Sequence, residues 1–187
     1  MTRLQPRQLP DNRLLIVEIT EKDLEALGWP LSDQLVAEAI DQIQQFQPAV
    51  IGLDLYRNTP QPPGKAALMQ EFQQDNVIGI MNAGNQPDNG EVEAPEGLPP
   101  ERIGFNDLAI DPDGVLRRNL IFVGNSENAY YSFPLRLVLA YHNDLDFRID
   151  PNGQFVAFGE AQFPDLHKGD GGYAHIHNRG YQILRRF

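Results

Sequence analysis

The stretch AVIGLDLYRNTP, Ala49 to Pro60, most strongly constrains what this chain can fold into. Its apolar run from Ala49 to Leu55 is typical of a strand that is buried on both faces of a parallel sheet. Asp54 and then Arg57 fall where that strand must end, and open α/β sheets bind ligands at this end of their strands. The two charges could instead pair with each other or cap a helix, so a ligand-binding role and a structural role both stay open.

The segments around this strand predict alternating strands and helices. An earlier strand is expected at the aliphatic run Leu14 to Ile19. Apolar residues recur at three-and-four spacing between Ser32 and Phe46, which predicts an amphipathic helix with Ser32 as its N-cap. A helix at Lys65 to Gln74 and a strand at Val77 to Asn82 follow. This order predicts an α/β fold with three layers, in which an N-terminal β-α-β-α-β unit forms a mixed, mostly parallel sheet.

The second half of the chain predicts antiparallel strands and one buried helix. Ala83 to Arg102 is rich in Asn, Gly, Pro and Glu, and we expect an exposed, mobile loop there, at about residues 83–102. Strand Ile103 to Phe105, the turn Asp-Pro-Asp-Gly and strand Val115 to Val123 predict a hairpin. Ser132 to His142 predicts a mostly buried helix with Pro134 in its first turn. Short strands are expected at 147–149, 155–158, 174–177 and 182–184.

Length and composition indicate one globular domain. The chain has 187 residues, of which 41% are hydrophobic, and we expect a lead-in over residues 1–13 and a single domain over 14–187. The net charge of −11 disfavours binding to nucleic acid or to an anionic membrane surface. With no cysteine there is no disulfide and no thiolate site. No segment is apolar enough to span a membrane, so any membrane helix of the native protein is expected outside this sequence.

Strand-end position suggests a set of candidate ligand-binding residues, although packing or ion pairing is the more common role for several of them. Trp29, the sole tryptophan, more often packs over a helix start in a setting such as Gly-Trp-Pro. Consecutive strand residues point to opposite faces, so at most one of Arg117 and Arg118 would enter a site. The full candidate set is Asp23, Trp29, Asp54, Arg57, Arg117 and Arg118.

We predict neither a cofactor nor a metal site. The acidic turn at Asp111 and Asp113 does not match a calcium loop, because its glycine and its twelfth residue are misplaced. His175 and His177 share one face of a predicted strand, but a metal would need a third converging ligand.

One enzymatic alternative rests on the same turn, which resembles the nucleophile loop of haloacid-dehalogenase-like phosphatases. In that resemblance Asp111 would be the nucleophile, Asp113 the general acid, Lys168 the charge-neutralising lysine and Asp170 a metal ligand. The pattern fails because Ala174 stands where a second metal-binding carboxylate is expected. Too few residues also separate the two motifs to build that fold.

Six recognisable sequence pieces follow one another over nearly the whole chain. An amphipathic helix lies between the second and third of them. The pieces are LLIVEI, EKDLEALGWP, PAVIGLDL, IGFNDLAIDPDGVLRR, SFPL and the final GYQIL at Gly180 to Leu184. In this order they resemble the CHASE2 family of sensor domains.

The resemblance implies a non-catalytic sensor domain on the outer, periplasmic side of the cell membrane, between membrane helices of a bacterial receptor. Such receptors carry histidine kinase, Ser/Thr kinase or nucleotide cyclase outputs. The expected partner is an unidentified small ligand, with homodimerisation open. Three functions therefore stand at this point: a sensor, a hydrolase, and a module that only dimerises or docks a partner.

Overall fold

The computed structural model describes residues 11–83, 90–110, 113–114, 116–124, 129–149, 155–164 and 173–175. Within these ranges it confirms the predicted α/β class, with one three-stranded parallel sheet, several antiparallel sheets and four helices. The helices are α1 (Glu21–Leu27), α2 (Asp33–Gln44), α3 (Lys65–Glu71) and α4 (Phe133–Tyr141), with a 3₁₀ turn at Pro100–Arg102. None of the helices within these ranges is both long and apolar enough to cross a membrane.

Eleven strands lie in the described ranges. In chain order they are β1 (Ile51–Gly52), β2 (Val77–Met81), β3 (Ile103–Phe105), β4 (Ala109–Ile110), β5 (Leu116–Leu120), β6 (Phe122–Gly124), β7 (Ala129–Tyr131), β8 (Phe147–Ile149), β9 (Phe155–Phe158), β10 (Ala161–Pro164) and β11 (Tyr173–His175). The sheets have the strand orders β1-β2-β3, β11-β5-β4, β6-β7 and β10-β9-β8.

The parallel sheet β1-β2-β3 is the middle of three layers. Ile51 and Leu53 are buried in the main hydrophobic core with residues of α2 and α3. Gly52 lies between them on the other face of the strand, where an added Cβ would meet the side chains of Phe133 and Leu137 in α4. The sheet is therefore covered by α2 and α3 on one face and by α4 on the other.

A smaller second core joins α4 to the antiparallel strands. Leu135 of α4 is buried there with Ile121 and Phe122, and the aromatic rings of β7, β8 and β9 pack around them. Only Leu135 is fully buried in α4, while Val138 and Tyr141 are 43% and 47% exposed. The prediction of a mostly buried helix was therefore too strong, because α4 has one face on the sheet and another toward solvent.

Capping residues in the sequence correctly predicted where α2 and α4 begin. Ser32 and Ser132 precede α2 and α4, and each hydroxyl accepts a hydrogen bond from a backbone N–H in the first turn, at 3.3 Å in both cases. Pro134 lies at the start of α4, as predicted.

The predicted strand over Leu14–Ile19 is wrong. Residues 14–20 have no regular secondary structure, and the five large aliphatic side chains of this run are 40–72% exposed. The segment leads instead into α1, a helix that was not predicted from the sequence. A strand needs a neighbouring strand to pair with. Aliphatic side chains show that a segment would pack well in a sheet, but they do not by themselves make the backbone extended and paired.

Two further predictions need correction. The acidic turn joins β4 to β5, whereas Ile103–Phe105 pairs in parallel with β2. The long strand expected at Val115–Val123 is divided at Ile121 into β5 and β6, which pair with different partners.

The exposed loop expected at 83–102 is only partly correct. Residues 84–89 lie outside the described ranges, but Val92 forms a bridge to Asn82 and Leu98 is buried in the main core. Leu98 packs over Gly79 of β2, and its burial anchors the second half of this segment.

Candidate functional site

Polar side chains meet at the carboxyl ends of the three parallel strands. Asp54 and Tyr56 follow β1, Asn82 follows β2, and Asn106 and Asp107 follow β3. Because parallel strands end at the same edge of a sheet, three separate stretches of sequence deliver these groups to one place. This is the edge at which open α/β sheets bind ligands.

Hydrogen bonds connect the three strand ends. The Tyr56 hydroxyl donates to Asn106 Oδ1 at 2.6 Å, and Asn82 Nδ2 donates to the same hydroxyl at 3.4 Å. Asn106 Nδ2 donates to Asp54 Oδ1 at 3.3 Å. Asp54 and Tyr56, which follow β1, are therefore both hydrogen-bonded to Asn106, the residue that follows β3.

The network has a buried part and an exposed part. Asp107 is buried and accepts a hydrogen bond from the backbone N–H of Ala83 at 2.8 Å, and Asn82 is buried as well. Asp54 and Tyr56 are exposed. The buried groups hold the strand ends together, while the exposed carboxylate and phenol can hydrogen-bond to a polar ligand.

Arg57 is turned away from this network. Its side chain is only 3% exposed and lies beside Asp33 at the start of α2, with Nε 3.9 Å from Asp33 Oδ1. Burial lowers the pKa of Arg57, and the negative charge of Asp33 opposes that effect. The carboxylate that pairs with Arg57 is thus Asp33 and not Asp54, contrary to the pairing considered from sequence.

Asp23 and Trp29 lie near the ends of α1. Asp23 forms a capping box with Thr20, accepting from the Thr20 hydroxyl at 2.6 Å and from its N–H at 2.7 Å, and these bonds lower the pKa of Asp23. Trp29 is 65% exposed, so the expected packing over the start of α2 does not occur. Ligand binding by either residue stays a prediction.

Arg117 and Arg118 occupy consecutive positions of β5, in the sheet β11-β5-β4. The structure thus places them in a different sheet from Asp54. Asp111, Lys168, Asp170 and His177, on which the phosphatase and metal alternatives depend, lie outside the described residues. Within the described part of the chain, no group of three or more His, Asp or Glu residues could hold a metal ion.

Most residues of the network are not among the candidates predicted from the sequence. Tyr56 stands inside the stretch Ala49 to Pro60, Asn82 ends the predicted strand VIGIMN, and Asn106 and Asp107 directly follow the predicted strand Ile103–Phe105. The signal that indicates them is the same strand-end rule, extended from the first of these strands to all three.

The family model of the CHASE2 domain matches the chain over residues 1–187. CHASE2 is a family of sensory, non-catalytic domains that are found outside the cell membrane in signalling receptors. No match was found among curated proteins or among solved structures.

Proposed function

Since the chain belongs to the CHASE2 domain family, we propose that it is the periplasmic input domain of a bacterial transmembrane receptor. In this proposal it binds a small polar ligand without consuming it and passes a conformational change through membrane helices to a kinase or cyclase output. The observation that carries the proposal is the hydrogen-bonded network at the carboxyl edge of the sheet, with Asp54 and Tyr56 facing solvent.

The ligand would act by binding one conformation of the strand ends more tightly than another. Asp54 and Tyr56 both bond to Asn106, which directly follows β3. β3 lies directly against α4, where Gly104 leaves no space beside Phe133. A shift at the strand ends would therefore move β3 against α4, because packed interiors do not deform continuously.

A docking module is the second candidate function. It is favoured by the aliphatic run at Leu14–Ile19, whose side chains are 40–72% exposed. Exposed apolar runs of this kind are typical of association surfaces. Homodimerisation through this segment would appear as a concentration-dependent mass in analytical ultracentrifugation, and Val17→Lys should abolish it.

A thermal-shift screen of the purified domain against metabolites and ions tests the sensor proposal. A ligand at a hundred times its dissociation constant should stabilise the domain by about 2.7 kcal/mol, which is readily detected. Each hit is repeated on Asp54→Asn and Tyr56→Phe, and mass spectrometry then shows whether the ligand is consumed.

Asp144→Asn is the matched control. Asp144 is exposed and adjoins Asn143, which lies beside Ala49 and Asp75 at the opposite, amino-terminal edge of the sheet. A shift that is lost in Asp54→Asn and kept in Asp144→Asn supports the proposed site. A consumed ligand would show an enzyme instead, and the absence of any shift would favour the docking module.

A further inference from the structure

The buried ion pair of Asp33 and Arg57 is not joined by a direct hydrogen bond. Their side chains are both 3% exposed, yet Asp33 Oδ1, Arg57 Nε and Arg57 Nη2 have no hydrogen-bond partner among the described residues. The distance of 3.9 Å between Nε and Oδ1 is too long for a hydrogen bond. Leaving buried charged groups unsatisfied is costly, so a partner for these three atoms is expected.

A small cavity lies beside the pair. It is lined by Asp33 and Arg57, by the apolar side chains of Leu68 in α3 and of Phe72 directly after α3, and by Lys65. Its volume is about 20 Å³. A site needs roughly 10–15 Å³ by this measure and two to four polar partners to hold one water molecule, so the cavity has the size and the chemistry for one water.

We propose that one internal water molecule occupies this cavity and bridges the ion pair. It accepts hydrogen bonds from Arg57 Nε and Nη2 and donates one to Asp33 Oδ1, which satisfies all three atoms. Two donors and one acceptor match water, whereas an anion would be repelled by Asp33 and a cation by Arg57.

The bridged pair fastens the segment after β1 to the start of α2. The Gln61 N–H donates to Asp33 Oδ2 at 3.0 Å, and the Asp33 N–H donates to the Gln61 carbonyl at 2.7 Å. The Gln34 N–H donates to the Pro63 carbonyl at 2.8 Å. With Arg57 held from inside, residues 57–63 are fixed at both ends. This inference does not rest on the proposed function.

A crystal structure at a resolution that shows ordered solvent tests the water directly. One water within hydrogen-bond distance of Asp33 Oδ1, Arg57 Nε and Arg57 Nη2 is the expected result. A direct hydrogen bond between the two side chains with no water between them would overturn the proposal, and so would a larger molecule or an ion in the cavity.

A double-mutant cycle tests the pair in solution. Arg57→Met and Asp33→Asn each leave the other group buried without its partner. The decreases in denaturation midpoint of the two single variants should therefore add up to more than the decrease in the double variant. Exchange of the Gln61 amide hydrogen should accelerate in both single variants. The double variant, which buries no unpaired charge, keeps the test informative if a single variant fails to fold.

The exposed ion pair between Arg148 and Asp146, which does not line the cavity, is the control. Its 2.9 Å contact joins side chains that are 64% and 60% exposed, so Arg148→Met with Asp146→Asn should barely change stability or exchange of the Gln61 amide. Additive effects of the Asp33 and Arg57 substitutions, no larger than those of this control, would refute the buried link.

Discussion

Replacing Gly104 with alanine should destabilise the domain by about 3 kcal/mol, because β3 and α4 meet there with no room for a side chain. An alanine Cβ would lie 2.5 Å from Cα and 2.7 Å from N of Phe133, and 3.0 Å from the carbonyl carbon of Ser132. All three obstacles are backbone atoms. No rotamer change can relieve the clash, so strand and helix would have to separate.

The magnitude follows from the size of the overlap. Carbon atoms pack at roughly 3.5–4.0 Å, so the closest contact falls short by about 1 Å. Overpacking of a core costs about 1–3 kcal/mol, and a clash with backbone belongs at the upper end of that range. For a domain of this size about 3 kcal/mol corresponds to a melting temperature lower by roughly 6–12 °C.

Urea unfolding of three glycine variants provides the test. At Gly79 the obstacle is Leu98 Cδ1 at 2.5 Å, a side-chain atom that can move, so Gly79→Ala should cost about 1 kcal/mol. Gly90 has nothing within 4 Å, and Gly90→Ala should be close to neutral. None of the three has a positive φ, so backbone strain does not confuse the comparison. A free energy of unfolding for Gly104→Ala within about 0.5 kcal/mol of Gly90→Ala would refute the close contact.

Three further predictions concern a cap, a carboxylate and the core. Ser132→Ala removes the N-cap of α4 and should lower the free energy of unfolding by about 1 kcal/mol in urea titrations, whereas Ser132→Thr should retain most of it. The hydrogen bonds from Thr20 lower the pKa of Asp23 in the folded protein. The stability that the Asp23 carboxylate contributes is therefore present above the pKa of the unfolded chain and is lost as the pH falls through the folded pKa. Asp23→Asn should flatten the acid side of a curve of stability against pH. Phe72 is 2% exposed, and Phe72→Ala should cost about 3–5 kcal/mol by calorimetry, with a loss under 1 kcal/mol contradicting its place in the core.

Elements whose signals are local could be predicted from the sequence. α2 begins after Ser32 because a hydroxyl there satisfies a first-turn amide, and its buried residues Val36, Ala37 and Ile40 follow the helical period. β2 is buried from Val77 to Ile80, as a continuous apolar run predicts for a strand covered on both faces.

Elements that depend on a distant partner could not be predicted in this way. The run Leu14–Ile19 has the composition of a strand but does not pair as one, whereas the two residues of β1 pair with β2 over 25 positions away. The acidic turn did make a hairpin, but its first strand is β4 and not β3. Composition indicates that a segment can form a strand. Which strand it pairs with depends on the rest of the folded sheet.

Asp54 and Arg57 show why the site was only half predictable. The strand-end rule placed both at the carboxyl edge, and Asp54 is there, exposed and bonded to Asn106. Arg57 is three residues further on, where the chain turns back over α2, and its long side chain enters the interior. A buried guanidinium requires a carboxylate close by, and that requirement leads to Asp33, which no spacing rule connects to Arg57. The two charges that the sequence suggested as one pair therefore lie apart, with Asp54 exposed at the carboxyl edge of the sheet and Arg57 buried beside Asp33.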